Sequence, residues 1–169
     1  MKKVGIFYGT STGNTESIAK QIAKKINIQA SDIFEATRNN ADKLKDYDVL
    51  LFGTSTQGSG DLQDDWETFV SDVEKVGLSG KKVAVFGLGD SASFSDTFCN
   101  AMGLVAEAAK KAGATLVGNK VSTEGYTFDE SDSVVDGFFC GLALDEDNEP
   151  DQTEERVDNW LAELKPEFN

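Results

Sequence analysis

The sequence predicts one α/β domain, a doubly wound parallel sheet covered by helices on both faces in a three-layer α/β/α sandwich. Three observations predict it. Apolar runs rich in β-branched and aromatic residues alternate with helical patterns along the chain. The three clearest runs each end in a glycine-rich turn. Each run is continuous rather than alternating, as expected of parallel strands buried on both faces. A chain of 169 residues can bury a core of its own, and no repeat or low-complexity stretch divides it, so residues 1–169 read as a single domain.

Lys3–Tyr8 before Gly9 is the first strand. Ile18, Ile22 and Ile26 follow at four-residue spacing, with Ala19 and Ala23 beside them, which is one face of a helix. Ser31–Ala36 is a shorter strand and Asn40–Tyr47 a short helix. Asp48–Phe52 before Gly53 is the third strand; Trp66, Phe69, Val70 and Val73 mark the helix after it. Lys82–Phe86 before Gly87 is the fourth strand, followed by a helix with Met102, Val105 and the alanines 106, 108, 109 and 112 on its buried side. Gly113 stops that helix and Thr115–Val121 starts a fifth strand. A polar segment, Ser122–Asp136, then separates it from the apolar run Gly137–Leu144. Thr153–Leu164 closes the chain as a helix with Val157, Trp160, Leu161 and Leu164 on one face.

Composition narrows the chemistry. Thirty acidic residues against sixteen basic ones leave a net charge of -14, which cannot neutralise a nucleic-acid backbone. No apolar run approaches the ~18 residues of a membrane-spanning helix. The stretch Met1–Phe7 is too short for a signal peptide and lacks a small-residue cleavage site, so the expectation is a soluble, cytoplasmic chain. There is no histidine, which excludes Ser-His-Asp and Cys-His catalysis and imidazole-ligated zinc. Cys99 and Cys140 form no C-x-x-C and are too few for an iron–sulfur cluster; they read as ordinary thiols of a cytosolic protein. No catalytic residue and no metal ligand is expected. The charge is uneven, because residues 121–169 carry fifteen acids and two bases. Such a segment could be a disordered tail, but the Gly137–Leu144 run within it requires burial, so a folded acidic face is expected.

In a doubly wound sheet the ligand lies outside the carboxyl ends of the strands, so the turns after the first, third and fourth strands should converge on one site. The first, Gly9-Thr10-Ser11-Thr12-Gly13-Asn14-Thr15, runs straight into a helix. Helix N-terminal N–H groups and four hydroxyls make it an anion site. Asn14 stands where a Walker loop needs lysine, and no G-x-G-x-x-G is present, leaving a cradle for one terminal phosphate monoester or, more plainly, a hydroxyl-rich helix cap. The second turn, Thr54–Leu62, sets two glycines, Gly58 and Gly60, among small polar residues, which suits a backbone approaching the edge of a flat ligand. The third, Gly87–Asp96, holds one aromatic, Phe94, either a hydrophobic plug or a stacking platform. Together the three describe a site for a phosphorylated planar heterocycle.

Four ordered motifs, Phe7–Thr15, Gly60–Trp66, Gly87–Asp90 and Gly141–Asn148, resemble those of the flavodoxins nearly end to end, and the insertion at Ser122–Asp136 resembles the long-chain bacterial subclass. The resemblance implies strand order 2-1-3-4-5 with the fifth strand interrupted at about 122–136. It also implies non-covalent FMN and a low-potential one-electron carrier working on the semiquinone/hydroquinone couple between redox enzymes, not a catalyst. By position Thr10, Ser11, Thr12, Gly13, Asn14 and Thr15 would hold the phosphate. Ser55, Thr56, Gln57, Gly58, Ser59 and Gly60, with Leu88, Gly89 and Asp90, would hold the ring edge. Phe94 would stack on the ring's outer face, Asp96 would lie near it and Asp147 near the ribityl chain. Long-chain members often carry tryptophan where Gln57 stands and usually tyrosine where Phe94 stands, so weaker FMN binding than the family norm is expected.

A carrier must separate the two reduction steps of the flavin. If the Gly58–Ser59 peptide can turn its carbonyl to the N5–H of the neutral semiquinone, that state gains one hydrogen bond, about 0.5–1.5 kcal/mol. Each carboxylate ~10 Å away at an effective dielectric of ~40 adds about 0.8 kcal/mol against the anionic reduced flavin. Asp61, Asp64, Asp90 and Asp96 are placed by loop position to do so. The acidic face suits partners with basic docking faces, such as reductases of the ferredoxin-NADP type or oxoacid oxidoreductases, met by a monomer. The alternatives are an FMN-dependent two-electron reductase on the same fold, for which no further insertion supplies a substrate pocket, and a cofactor-free interaction module, against which the intact Thr10–Thr15 cradle argues. A phosphoaccepting receiver needs an aspartate where Gly53-Thr54-Ser55 stand.

Overall fold

The computed structural model describes residues 2–169. In chain order the elements are β1 (Val4–Gly9), α1 (Asn14–Lys25), β2 (Ile33–Glu35), β3 (Val49–Gln57), β4 (Asp61–Leu62), α2 (Asp64–Val76), β5 (Lys82–Leu88) and α3 (Asn100–Lys111). Then come β6 (Thr115–Leu116), β7 (Val121–Ser122), β8 (Val134–Val135), β9 (Phe138–Phe139), β10 (Leu142–Leu144) and α4 (Thr153–Leu164). The main sheet runs β2-β1-β3-β5-β10, all parallel, with Ile6 opposite Ile33, Val4 opposite Val49 and Val49 opposite Lys82. Its fifth position is filled twice. β6 pairs with Lys82 and Val83 at the start of β5, and β10 pairs with Phe86–Leu88 at its end. The order 2-1-3-4-5 with an interrupted fifth strand is therefore present.

Continuous apolar strands follow from a sheet covered on both sides. Phe7, Leu50, Phe52, Val83 and Val85 face Trp66, Phe69 and Val73 of α2 and Met102, Val105 and Ala109 of α3. The alternate residues Ile6, Tyr8, Val49, Leu51, Ala84 and Phe86 face Ile18 and Ile22 of α1 and Val157, Trp160, Leu161 and Leu164 of α4. Each strand thus gives every second side chain to one of two cores.

Two elements differ from expectation. The short helix expected at Asn40–Tyr47 begins two residues earlier, as the 3₁₀ helix Arg38–Asp46, and its buried residues, Ala41 and Leu44, are three apart, the 3₁₀ repeat. The expected strand Thr115–Val121 pairs with β5 only as far as Val117, whose N–H donates to the Val83 carbonyl at 2.9 Å. Gly118 then turns out of the sheet at φ 61°, where a Cβ would lie 2.7 Å from Trp160 Nε1. That indole instead donates to the Gly118 carbonyl at 3.0 Å. Val121–Ser122 joins a small antiparallel sheet, β7-β9-β8.

The excursion is fastened to the body. Tyr126 Oη donates to the Ala143 carbonyl at 2.7 Å, and the Arg156 guanidinium lies 3.8 Å from the Tyr126 ring centre. Buried Ser133 Oγ accepts from Gly103 N at 2.8 Å and donates to the Cys99 carbonyl at 2.6 Å. The acidic final third is folded, ending in α4 against the sheet. Among the described residues no helix is long and apolar enough to cross a membrane.

Gly53 on β3 lies under the Phe86 ring, and a Cβ there would fall 2.2 Å from the ring carbon Cζ. Overpacking of this kind costs about 1–3 kcal/mol. Urea unfolding should show Gly53→Ala destabilised by that amount, with part of the loss recovered in the Gly53→Ala, Phe86→Leu double variant; equal stability of the single variant and the parent would refute the close packing.

Candidate functional site

β1, β3 and β5 run parallel, so the loops after them emerge at the same edge of the sheet. In the first loop Thr10 Oγ1 accepts from Gly13 N at 2.9 Å, and Gly13, at φ 94°, leads into α1. No side chain caps that helix, so its first-turn N–H groups are left for an outside acceptor. Thr15 is fully buried and its Oγ1 has no partner. The loop is held from behind by Gln63, itself buried. Its Nε2 donates to the Thr10 carbonyl at 3.2 Å, while its Oε1 accepts from Asp65 N at 3.0 Å and Trp66 N at 3.4 Å as the N-cap of α2. Trp66 Nε1 in turn donates to the Gly53 carbonyl at 2.8 Å.

The second loop is the tip of the β3–β4 hairpin, where Thr56 pairs with Leu62 and Gln57 with Asp61. Gly58, exposed, stands at φ 45°, a conformation that side chains strain. Behind the tip Thr56 Oγ1 accepts from Ala101 N at 3.4 Å. Ser55 Oγ is buried without a partner. Gln57 Nε2 donates to Ser11 Oγ and so bridges the first and second loops.

The third loop is tied to the chain after β10. Gly89 N donates to the Leu144 carbonyl at 3.0 Å. The fully buried Asp145 carboxylate accepts from Ser91 N at 3.2 Å and from Ser91 Oγ, and on its other oxygen from Asn148 N at 3.1 Å and Asn148 Nδ2 at 3.0 Å. Asp90 Oδ1 accepts from Ser93 N at 2.9 Å, Ala92 N at 3.2 Å and Asn148 Nδ2 at 2.8 Å. The Ser93 N–H, followed by Asn148, holds the Asp90 carboxyl below the usual aspartate range. Asp147 moves the other way, raised by desolvation and then by the charges of Asp90 and Asp145. Phe94 is 41% exposed, with no aromatic neighbour among the described residues.

These loops enclose one cleft of about 280 Å³. Of the residues singled out in the sequence, Ser11, Thr12 and Asn14, then Ser55, Thr56, Gln57 and Gly58, then Leu88, Gly89, Asp90 and Phe94, and finally Asp147 line it. Thr10, Gly13 and Thr15 belong to the same first loop but do not form its wall, and Ser59 and Gly60 sit at the hairpin tip beyond it. Asp96 lies exposed on the 3₁₀ turn Ser95–Thr97, outside the lining. Three lining residues were not anticipated: Thr97, Cys99 and Glu146. Glu146 could have been found as the neighbour of Asp147, whereas Thr97 and Cys99 carry no local signal and arrive only because α3 begins beside β5.

The chemistry of the cleft is that of a holder. Hydroxyls and backbone N–H groups dominate one end, one phenyl ring is available for stacking, and Asp90, Glu146 and Asp147 are the charged members of the wall. Burial pushes the Cys99 thiol well above its ordinary range, which keeps it protonated. Among the described residues no cluster of metal-ligating side chains occurs.

Comparison with known proteins places relatives beside this geometry. The flavodoxin family profile matches residues 6–160. The flavodoxin of Synechocystis sp. is 44% identical over 167 residues, covering 98% of both chains. Flavodoxin 1 of Escherichia coli is 39% identical, covering 100% of this chain and 96% of its own. The crystal structure of Fusobacterium nucleatum flavodoxin bound to flavin mononucleotide aligns with a TM-score of 0.89 at 31% identity over 100% of both chains.

Because Asp90 has its carboxyl depressed in the folded state, its contribution to stability is present above the unfolded aspartate range and lost as pH falls through its folded value. Thermal unfolding from pH 6 to pH 2.5 should show the parent losing stability more steeply below about pH 4 than Asp90→Asn. Parallel curves for the two would contradict the role given to the Ser93 and Asn148 contacts.

Proposed function

The chain belongs to the flavodoxin family, and from that premise we propose that the cleft at the carboxyl edge of its sheet holds FMN. It is an electron-transfer protein rather than a catalyst. The observation that carries the cofactor assignment is the pair of buried hydroxyls without partners, Ser55 Oγ on β3 in the wall of the cleft and Thr15 Oγ1 in the first turn of α1 beside it. A buried polar group left unpaired costs about 1–3 kcal/mol, so both call for a bound ligand rich in polar atoms. The uncapped N-terminus of α1 beside Thr15 calls for an anion. A phosphorylated ring system with a polyhydroxyl chain satisfies both demands.

When bound, FMN supplies the electron storage; the chain supplies position and field. Thr10–Thr15 hold the phosphate with N–H and hydroxyl donors. Ser55–Gly60 and Leu88–Asp90 hold the ring edge, Phe94 covers one ring face, and Asp147, joined by Glu146, lies toward the ribityl chain. The Gly58 carbonyl, at an exposed turn that already has positive φ, is available to a protonated ring nitrogen. Asp90 in the wall of the cleft disfavours added negative charge, and Asp61 on β4, Asp64 at the start of α2 and Asp96, outside the wall, act through charge at greater distance. This gives a low-potential one-electron carrier.

The finer assignments rest on charge and composition. A single domain over 1–169, monomeric and cytoplasmic, exchanges electrons with redox proteins that present basic faces, of the ferredoxin-NADP reductase or oxoacid oxidoreductase kind. Their basic faces meet the exposed members of an acid-rich segment, residues 121–169, which accelerates encounter more than it tightens binding.

Stepwise dithionite reduction of the FMN-loaded protein should give a yellow solution that turns blue at half reduction and then pale. Direct passage from yellow to colourless would favour a two-electron enzyme, and failure to take up FMN would refute the cofactor assignment. Loss of the stacking ring in Phe94→Ala should weaken FMN about 2- to 12-fold, the equivalent of about 0.5–1.5 kcal/mol, in a fluorescence-quenching titration. Gly58→Asn should lower the maximum blue absorbance at half reduction, and an unchanged maximum would remove Gly58 from the redox role.

A further inference from the structure

A larger cavity, of about 860 Å³, opens at the opposite edge of the sheet. The first residue of β1 helps to line it, whereas the cofactor cleft begins beyond the strand's last residue. Six residues of strand put the two about 20 Å apart. Its size falls within the range of small-molecule sites. Segments far apart in sequence meet there: the start of β1, the end of α1 and the loop after it, the last turns of α4 and the residues that follow.

Its walls are apolar. Val4, Ile26, Ile28 and Phe168 are packed against the α1/α4 core, yet each is only partly buried because it also faces this space. Its charge runs against that of the molecule. Lys2, Lys3, Lys25 and Lys165 line it in a chain of net charge -14. The two acidic side chains present are already engaged: Asp158 pairs with Lys25 at 2.7 Å, and Asp32 accepts from Tyr47 Oη at 2.7 Å. Lys3 Nζ lies 5.0 Å from the Tyr47 ring centre. Among the described residues Lys2, Lys3 and Lys165 have no carboxylate within salt-bridge distance. Apolar walls beneath a rim of uncompensated ammonium groups match a ligand with a hydrocarbon body and an anionic head.

We propose that this basal cavity is a second binding site, independent of FMN, for a medium-chain aliphatic carboxylate. The hydrocarbon lies against Val4, Ile28 and Phe168, and the carboxylate meets the Lys2 and Lys165 ammonium groups. Isothermal titration of FMN-loaded protein with decanoate, kept below its micelle concentration, tests it. The expected result is saturable one-to-one binding that 1-decanol fails to match by at least 5-fold. Lys165→Glu reverses one rim charge and Ala162→Glu projects an acid from an exposed wall position. Each should weaken decanoate at least 5-fold while FMN affinity and melting temperature stay at parent values. Phe94→Ala, in the other cleft, should leave decanoate binding unchanged. Absence of saturation, parent-like affinity of Lys165→Glu and Ala162→Glu for decanoate, equal binding of decanol, or loss of decanoate binding in Phe94→Ala would each overturn the proposal.

Discussion

A carboxylate removed from water sets the terms for one side of the cofactor cleft. Asp145 follows β10 and is fully buried. Burying an unpaired carboxylate costs several kcal/mol, so the fold is stable only with its donors in place. Those donors are Ser91 from the loop after β5 and Asn148 from the loop before α4. Both loops are thereby held to one point, and Asp90, Phe94 and Asp147 are carried on them. β10 in turn is positioned by its pairing with Phe86–Leu88 and by the Tyr126 hydroxyl on the Ala143 carbonyl. The small sheet, though remote in sequence from the cleft, is therefore mechanically continuous with it.

The other side of the cleft is built without charge. Gln63 joins the Thr10 carbonyl to the first turn of α2, so the loop after β1 and the helix after β4 move as one body. Trp66 extends the connection to the Gly53 carbonyl in the middle of the sheet's carboxyl edge. A cradle of hydroxyls and N–H groups can bind an anion without bringing a compensating lysine near the ring. For a carrier this separation has a consequence: a ring held in this cleft as proposed would meet a field left to carboxylates, which oppose further negative charge there.

Charge is therefore distributed by function as well as by solubility. Acids crowd the final third of the chain, including Glu146 and Asp147 at the cleft. Lysines gather instead at the amino edge of the sheet, around a cavity whose walls come from β1, α1 and α4. A parallel sheet makes such a division possible, since its two edges are separated by the whole strand length.

The sequence by itself determined the fold class, because continuous apolar runs, each followed by a helix-period pattern, can bury both faces only in a doubly wound sheet. It also determined the three loops that meet, since strands running the same way must end at the same edge. It determined the acidic face as folded, through the Gly137–Leu144 run. Tertiary structure decided where the fifth strand breaks, because Gly118 leaves the sheet under the demand of Trp160, a residue 42 positions away. It decided that the short helix before β3 is the 3₁₀ helix Arg38–Asp46, whose buried residues, Ala41 and Leu44, recur at its three-residue period. Thr97 and Cys99 reach the cleft by the placement of α3 beside β5, which no local pattern encodes. Gln63 and Asp145 join separate loops through partners 53 and 54 residues distant. Local patterns report what each residue needs to bury; which polar groups then face one another is settled by the packing of elements far apart in the chain.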